Sequence, residues 1–308
     1  MIAILTFRRP DDVVAAVATV GAQAAALPER YRARVVVVDN DPDGSARPLV
    51  VDGPSLQYVH EPTPGIAAAR NRALREASAD DVLVFIDDDE RPSDGWLAAM
   101  LTLWGDTGAQ AVAGRVESRF ERAPDRWVEA SRFFERRSLP TGTEVTTAAT
   151  NNLLLDLAFV RSQRVEFAES LGRSGGEDTL FTRTLVARGG RIVWSQEAVV
   201  HDIVPAARTT TRFVRTRAFA YGCTTTRVDL ILAPDARARA RVRLRAAGTG
   251  LARLGGGGVR LLAGALRRDL AARAMAERTV LRGAGIVAGA FGLAVEEYGG
   301  GRARLRRV

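Results

Sequence analysis

Four consecutive acidic residues are the feature of this sequence that most directly suggests chemistry: Asp87, Asp88, Asp89 and Glu90. Adjacent carboxylates repel one another, so such a run costs stability unless a cation compensates for it. Hard cations such as Mg²⁺ bind one or two carboxylates together with phosphate oxygens. Asp87 and Asp89 are two positions apart and can face the same side of an extended segment. The run therefore predicts a site for a metal and a diphosphate, with a solvated acidic turn as the alternative.

Other polar residues stand where neighbouring segments end or begin. Asp39 follows the apolar run at residues 35–38 and can accept hydrogen bonds from a nucleobase or a ribose hydroxyl, although the residues after it are also typical of a turn. Gly65, Arg70 and Asn71 stand at the beginning of a helical segment. A helix N-terminus and an arginine both suit phosphate oxygens, and a surface arginine on an alanine-rich helix is an equal alternative.

The second half of the chain offers two more candidates. Glu177 and Asp178 open a helical segment after two glycines, where an acid stabilises the helix dipole or serves as a catalytic carboxylate. His201 follows a short apolar run, and its imidazole can complete the metal site that Asp87 and Asp89 begin; a packed or surface histidine is the alternative. With two histidines and one cysteine in the chain, a three-histidine site and a cysteine-built zinc site are excluded.

The elements that must position these residues follow from the spacing of apolar side chains. In the first 90 residues, short apolar runs alternate with segments of helical spacing, which predicts a parallel sheet with right-handed crossovers. Ligands of such sheets bind beyond the carboxyl ends of the strands. Strands are predicted at residues 2–6, 35–38, 56–59 and 82–86, and helices at 13–27 and 66–77. Later segments are predicted as extended (111–120, 145–155, 192–194, 199–200) or helical (178–188).

Length and composition limit the class of protein. The 308 residues suffice for one or two domains, and 46% hydrophobic with 26% charged residues excludes disordered, collagen-like and coiled-coil chains. No apolar stretch reaches the roughly 18 residues of a membrane span, and residues 1–10 lack the basic region of a signal peptide. The cytoplasm is therefore the expected location.

The net charge of +8 is concentrated at the C-terminal end. Residues 235–308 contain 16 arginines and 5 acids, a balance of +11, which leaves −3 for residues 1–234. Four glycines at residues 255–258 predict a hinge. Residues 259–282 then predict a basic amphipathic helix, a form that suits an anionic membrane surface; its apolar face would hold Val259, Leu262, Leu266 and Leu270. Simple packing against the rest of the chain is the alternative.

Taken together and in order, these motifs resemble bacterial family 2 glycosyltransferases, which have the GT-A nucleotide-diphospho-sugar fold. The matching stretches cover about residues 1–222 and begin at residue 4 (ILTFRR), 36 (VVVDN), 65 (GIAAARN), 85 (FIDDDE), 96 (WL), 151 (NN) and 176 (GED). The resemblance implies an α/β, Rossmann-like, mostly parallel sheet with helices on both faces. It also implies a catalytic domain at 1–222, divided into a nucleotide-sugar-binding half (1–110) and an acceptor-binding half (111–222), and a basic helical extension at 223–308.

The resemblance also implies residue roles. Asp87 and Asp89 match the DxD motif that holds a divalent metal, Mn²⁺ or Mg²⁺, on the diphosphate. Asp178, with Glu177 beside it, matches the family's ED motif and its general base. His201 stands where some relatives supply a third metal ligand, and Asp202 is the other candidate for that position. The expected substrate contacts are Thr6, Arg8, Asp39, Gly65, Arg70, Asn71, Asp87, Asp88, Asn152 and Arg208.

The expected activity is inverting, metal-dependent transfer of a sugar from a nucleotide-diphospho-sugar, most commonly UDP-linked in this family. The acceptor would be a hydroxyl of a glycan or of a lipid-linked molecule in polysaccharide or cell-envelope biosynthesis. A nucleotidyltransferase is disfavoured because residues 7–10 contain no glycine for a phosphate loop. A non-enzymatic basic binding protein is the other alternative. No nucleic acid is expected as a partner, because the body is acidic, whereas the Arg-rich C-terminal helices suit the inner face of the cell membrane.

Overall fold

The computed structural model describes residues 1–172, 174–296 and 304–307. Over these residues the protein is a mixed α/β structure with a large sheet and a helical C-terminal region. The strands are Ile2–Thr6 (β1), Val35–Asp39 (β2), Leu56–His60 (β3), Val82–Asp87 (β4), Glu90–Pro92 (β5), Ala111–Phe120 (β6), Glu144–Val145 (β7), Asn152–Asp156 (β8), Ile192–Val204 (β9), Leu293–Glu296 (β10) and Arg304–Arg307 (β11). The helices are Pro10–Ala25 (α1), Ile66–Glu76 (α2), Trp96–Thr107 (α3), Arg126–Ala130 (α4), Leu157–Gln163 (α5), Glu177–Ala187 (α6), Thr211–Leu232 (α7), Ala236–Leu266 (α8) and Leu270–Ala290 (α9).

The first four strands form a parallel sheet in the order β3-β2-β1-β4, in which Ile2 of β1 pairs with Val35 of β2 and Val84 of β4. All residues of β1 and β2 are buried, as expected for strands that helices cover on both faces. Successive side chains enter two separate cores, one with residues of α1 and α3 and the other with residues of α2 and α6. The predicted α/β fold with helices on both faces of the sheet is therefore confirmed.

The second half of the chain extends this sheet with antiparallel pairings. β8 is antiparallel to β4, and β6 is antiparallel to β8. The full order is β3-β2-β1-β4-β8-β6-β9-β5, with β7 paired to β9. Antiparallel strands need no helical crossover, so the regular strand–helix alternation of the sequence ends here.

Two segments of this half differ from their predicted forms. Residues 145–155 are not one extended segment, because the polar stretch at 146–151 forms turns and loops between β7 and β8. Conversely, the two short strands predicted at 192–194 and 199–200 are parts of one 13-residue strand, β9. Polar residues at 195–197 interrupt its apolar pattern. The strand nevertheless continues, because β7 pairs with it before the interruption and β5 pairs with it afterwards.

The chain divides into two compact units. The first contains residues 1–119, 136–172 and 177–203, and therefore most of the large sheet. The second contains residues 120–135, 174–176 and the chain from 204 onward, with α4, α7, α8 and α9. The domain boundary that the sequence predicts after residue 222 falls inside α7. The division into a donor-binding half and an acceptor-binding half stays a prediction.

The predicted hinge at residues 255–258 is wrong, because α8 continues through all four glycines. Gly250, Gly257 and Gly264 are buried at intervals of seven residues on the face of α8 that packs against α9. A methyl group at Gly250 would lie 2.8 Å from the carbonyl oxygen of Gly283. The absence of side chains thus permits a close helix–helix contact, and this packing keeps α8 helical where helix propensity alone predicts a break.

The single amphipathic helix predicted for residues 259–282 is also wrong. α8 ends at Leu266 and α9 begins at Leu270. Between them, Arg268 adopts the left-handed backbone region (φ 54°). The side chain of Asp269 then caps α9 by accepting a hydrogen bond from the backbone N–H of Ala272 (3.0 Å). The predicted apolar face is therefore divided between two helices. Over the described ranges, we find no helix that combines the length and the apolar character needed to cross a bilayer.

Candidate functional site

The carboxyl ends of β1, β2 and β4 lie side by side at one edge of the first unit. Thr6, at the end of β1, pairs with Asp39 at the end of β2, and Leu5 pairs with Asp87 at the end of β4. The hydroxyl of Thr6 donates a hydrogen bond to Asp88 (Oγ1–Oδ2 2.8 Å). The structure thus brings these predicted site residues together, at the edge where α/β sheets bind ligands.

Asp39 is fully buried and organises the loop after β2. Its carboxylate accepts hydrogen bonds from the backbone N–H groups of Asp41 (3.0 Å) and Ala46 (2.8 Å), and from the hydroxyl of Tyr58 (3.0 Å). Because its exposed fraction is 0%, a nucleobase can reach this carboxylate only if the loop moves. The contact between Asp39 and the base stays a prediction.

Arg9 neutralises part of the acidic run, a role that the sequence analysis did not assign to it. Its Nη1 lies 2.8 Å from Asp88 Oδ1 and 2.7 Å from Asp89 Oδ2. Arg9 comes three positions after β1, and β1 pairs with β4, which leads directly into the acidic run. The position of a basic residue just beyond the first strand was the signal in the sequence that could have revealed this contact.

Burial and mutual repulsion oppose ionisation of Asp87, Asp88 and Glu90. Burial raises the pKa of Asp87 to about 7, and the neighbouring aspartates add to this rise while Arg70 opposes it. Burial also raises the pKa of Asp88 to about 6, although Arg9 works against this change. The pKa of Glu90 is raised well above its ordinary value, first by burial and then by nearby carboxylates. Burial therefore disfavours the charged form of these three carboxyls, and the arginine neighbours of Asp87 and Asp88 offset only part of that effect.

Arg70 connects the acidic run with the acids of α6. Its Nη1 lies 2.5 Å from Glu177 Oε1, and both side chains are buried. Burial lowers the pKa of this guanidinium, but the surrounding Glu177, Asp87 and Asp178 raise it by more, so the arginine remains charged. The Nε of Arg70 and the Oε2 of Glu177 are buried without a hydrogen-bond partner. Each of these atoms lacks the hydrogen bond that a buried polar atom normally makes.

His201 and Asp202 are consecutive residues of β9, so their side chains point to opposite faces of the strand. Asp202 pairs with Glu90 across the sheet and contributes to the rise in the pKa of that carboxyl. His201 instead lies beside Glu117, with 3.5 Å between Nδ1 and Oε2. The structure thus brings Asp202, rather than His201, to the acidic run.

Two predicted substrate contacts have their side chains engaged within the fold. Asn152 accepts a hydrogen bond from Trp96 Nε1 (2.8 Å) and donates to two backbone carbonyls (both 2.9 Å). Asn71 donates to the carbonyl oxygen of Phe167 and accepts from its N–H (both 2.9 Å). Both asparagines are buried. In the structure, Asn152 therefore holds the sheet to α3, and Asn71 holds α2 to the segment before α6. Contacts of these two residues with a substrate stay predictions.

The remaining predicted contacts are in different places. The exposed Arg8 lies 3.1 Å from Asp41 (Nε–Oδ1). Gly65 precedes α2 with a φ of 135°, a conformation that favours glycine, and donates its N–H to Asn40 (2.8 Å to Oδ1). Arg208 belongs to the second unit. Contacts of Arg8, Gly65 and Arg208 with a substrate stay predictions.

Comparison with known proteins agrees with this geometry. The sequence pattern described as "Glycosyl transferase family 2" matches residues 1–162, which is more than half of the chain. The chain belongs to glycosyl transferase family 2. This glycosyltransferase is 38% identical over 232 residues to the succinoglycan biosynthesis protein ExoM of Rhizobium meliloti (strain 1021), and the match covers 72% of each protein. A 94-residue match, also 38% identical, covers 29% of this chain and 19% of a pre-mycofactocin glycosyltransferase of Mycobacterium tuberculosis (strain CDC 1551 / Oshkosh).

Solved structures share the fold of this glycosyltransferase. GalNAc-T7 with UDP, GalNAc and Mn²⁺ superposes with a TM-score of 0.53 at 13% identity, covering 73% of this chain; the chain spans half the length of that protein. TarS 1–349 of S. aureus superposes with a TM-score of 0.52 at 15% identity, covering 90% of this chain and 89% of TarS 1–349. The GT-A fold implied by the sequence motifs is therefore confirmed.

The acidic run of this glycosyltransferase fits a divalent cation by the chemistry of its donors. Carboxylate oxygens are preferred ligands of Mg²⁺ and Mn²⁺, and a bound cation would favour the charged form of Asp87 and Asp88, whose pKa values burial raises. Within the residues that the structure describes, no three histidine, cysteine or carboxylate side chains are grouped so that they could hold an ion by themselves. The acidic run therefore fits a divalent cation by the type of its donor atoms. Two of its carboxylates are paired with Arg9 in this structure.

Proposed function

We propose that this glycosyltransferase moves a sugar from a nucleotide-diphospho-sugar, with UDP as the nucleotide, to a hydroxyl group of a glycan or lipid-linked acceptor. The convergence of Asp87, Glu177 and Asp178 around Arg70 carries the proposal. It combines a cationic group for an anionic diphosphate with a carboxylate that can accept a proton. Attack of the acceptor in line with the leaving diphosphate inverts the anomeric carbon.

Similar proteins support the choice of donor, metal and biological setting. ExoM is a succinoglycan biosynthesis protein, which supports a role in polysaccharide or cell-envelope biosynthesis. GalNAc-T7 was solved with UDP, GalNAc and Mn²⁺, and TarS 1–349 with UDP-GlcNAc. These complexes support a UDP-linked donor and a divalent metal, Mn²⁺ or Mg²⁺. Family membership also favours sugar transfer over nucleotidyl transfer and over a purely binding role.

Asp87 and Asp89 would hold the metal on the diphosphate. We favour Asp202 over His201 as a further ligand, because Asp202 lies with the acidic run. When bound, the ion stabilises the negative charge that develops on the leaving diphosphate. Arg70 adds a buried, permanently charged guanidinium to the same region, and its Nε is available for a diphosphate oxygen.

We propose Asp178 as the general base that accepts the proton of the attacking hydroxyl. Asp178 is partly exposed, whereas Glu177 is buried against Arg70, so Asp178 is the acid of this pair that an acceptor can reach. The backbone N–H of Thr179 donates to Asp178 Oδ1 (2.6 Å) and orients the carboxylate. A positioned base of this kind contributes about 10²–10⁴-fold to the rate. Glu177 is then a positioning residue that holds Arg70.

The proposed base is tested by Asp178→Asn, assayed with UDP-sugars, Mn²⁺ and an acceptor extract. We expect the transfer rate to fall by about 10²–10⁴-fold. Binding of UDP with Mn²⁺, measured by calorimetry, should change less than about threefold, because Asp178 accepts a proton and does not bind the diphosphate. Asp106→Asn, an exposed acid of α3, is the matched control and should retain wild-type rates. Full turnover by Asp178→Asn would refute the base assignment.

The donor would occupy residues 1–110 and the acceptor residues 111–222, as the sequence motifs imply. We propose that the enzyme acts in the cytoplasm and attaches peripherally to the inner face of the cell membrane, where a lipid-linked acceptor would be presented. The acceptor and the transferred sugar can be sought by thermal-shift screening with Mn²⁺, because a ligand that binds only the folded state raises its stability.

A further inference from the structure

Helix α8 exposes an apolar stripe on the face opposite to its packed side. Leu244, Leu251, Val259, Leu262 and Leu266 have exposed fractions between 62% and 87%. At about 100° per residue, the five side chains fall within an arc of about 80° and extend over about 33 Å. The buried glycines that contact α9 occupy the other side of the helix, about 160° away. Within the second unit, this stripe is thus turned away from α9.

The charged side chains of the same helix are all positive. From residue 236 to residue 266 it contains seven arginines and no acid. Five of these arginines stand at alternate positions near the N-terminal end of the helix. Two further arginines follow directly after its C-terminal end. The side chains of this flanking set are exposed: Arg237, Arg239, Arg241, Arg243, Arg245, Arg267 and Arg268. The apolar stripe is therefore bracketed at both ends by cationic groups with long, flexible stems. This arrangement lets apolar groups enter a hydrocarbon boundary while guanidinium groups remain at phosphate level.

We propose that α8 lies flat on an anionic phospholipid bilayer, with Leu244, Leu251, Val259, Leu262 and Leu266 inserted below the headgroups and the flanking arginines on the lipid phosphates. This inference deepens the proposed function, since it identifies which surface would meet the membrane that carries a lipid-linked acceptor. It differs from the sequence-based prediction, which placed the contact on residues 259–282. Leu270 belongs to α9, whereas Leu244 and Leu251 join the stripe from the residues before the four glycines.

Charge complementarity favours a lipid surface over a second copy of the chain. Two copies that joined along this face would bring arginine-rich ends of the same sign together, which opposes association. Anionic lipid headgroups carry the opposite charge, and each arginine near such a surface contributes about 1 kcal/mol to binding. The occupant that fits both the stripe and its flanks is therefore an anionic membrane.

The test measures co-flotation of the full chain with vesicles of phosphatidylcholine alone and of phosphatidylcholine mixed with phosphatidylglycerol. We expect binding to the anionic vesicles only, with weakening at high salt. Leu262→Gln combined with Leu266→Gln should lower the partition coefficient by about tenfold or more, because two inserted leucines are lost. Both side chains are exposed, so the folded state should remain intact.

The matched control is Leu49→Gln combined with Val51→Gln, which removes exposed apolar side chains from the first unit and should leave vesicle binding unchanged. Failure of the wild type to bind anionic vesicles would overturn the proposal. So would equal binding by the α8 variant, or a wild-type dimer in sedimentation that the α8 variant makes monomeric. Flotation needs no donor or acceptor, so a failure to bind vesicles would not argue against the proposed transfer reaction. In the same way, absence of transfer activity would not argue against membrane binding.

Discussion

Asp87→Asn should make the metal-free protein more stable at neutral and alkaline pH while it abolishes metal-dependent transfer. The carboxyl of Asp87 is in an environment that opposes its charge, because burial and the neighbouring aspartates outweigh the attraction of Arg70. Asparagine has a similar shape and stays neutral at every pH. The substitution therefore removes an unfavourable charge that the metal and the diphosphate would otherwise compensate.

The magnitude follows from the pKa of Asp87, which burial raises from 3.8 to about 7. The folded state therefore holds this proton more tightly than the unfolded state does, and the stability that the proton provides is lost as the pH rises from about 4 to 7. At about 1.36 kcal/mol per pH unit, the loss approaches 4 kcal/mol above pH 7 as an upper limit. The advantage of Asp87→Asn over the wild type should grow across this window and then level off.

Urea unfolding in EDTA between pH 4 and 9 measures this difference. Asp94→Asn, at an exposed position, is the control and should differ little from the wild type at any pH. Mn²⁺ with UDP should then raise the stability of the wild type and leave that of Asp87→Asn unchanged, because the variant lacks a ligand. If Asp87→Asn is no more stable than the wild type at pH 8, the surroundings of Asp87 do not oppose its negative charge and the reasoning is refuted.

Two further predictions concern the fold around the site and the helical region. Gly256→Ala should raise the free energy of unfolding by about 0.5–1 kcal/mol, because Gly256 is inside α8 and a methyl group there meets nothing within 4 Å. Gly250→Ala should lower the free energy of unfolding by about 1–3 kcal/mol, because its methyl group would meet Val287 and the carbonyl of Gly283. If urea unfolding showed stability changes of the same sign for both variants, the close α8–α9 contact would be contradicted. Asn152→Ala should lower the free energy of unfolding by about 2–4 kcal/mol, because Trp96 Nε1 and two backbone carbonyls lose their partner. Wild-type stability combined with a higher KM for the donor would instead indicate that Asn152 contacts the substrate.

Most of the first unit could be predicted from the sequence because its signals are local. The valine run of β2 and the apolar runs of β1 and β4 have the composition that a strand needs when both of its faces are buried. The location of the acidic run could then be predicted, because the run stands at the end of β4 and parallel strands end at a common edge of the sheet. β9, whose partners all lie in the antiparallel part of the sheet, was instead predicted as two shorter strands.

Contacts between distant parts of the chain could not be predicted in this way. Nothing in the spacing around Arg70 shows which carboxylate it pairs with, because that pairing depends on how the sheet and α6 pack. The same holds for Asn71 and Asn152. Their position within family motifs suggested substrate contacts, whereas hydrogen bonds to Phe167 and Trp96 engage their amides.

The sequence by itself thus determined the parallel strands and the helices at the centre of the fold, the location of the acidic edge and the family. The tertiary structure decided which charges are paired, which face of α8 is exposed, and whether the four glycines at 255–258 form a hinge or a helix. The physical reason is the same in each case. Periodicity and propensity record the preferences of a segment for its own backbone and for apolar or aqueous surroundings. Charge compensation and close helix packing depend on partners that folding brings from elsewhere in the chain.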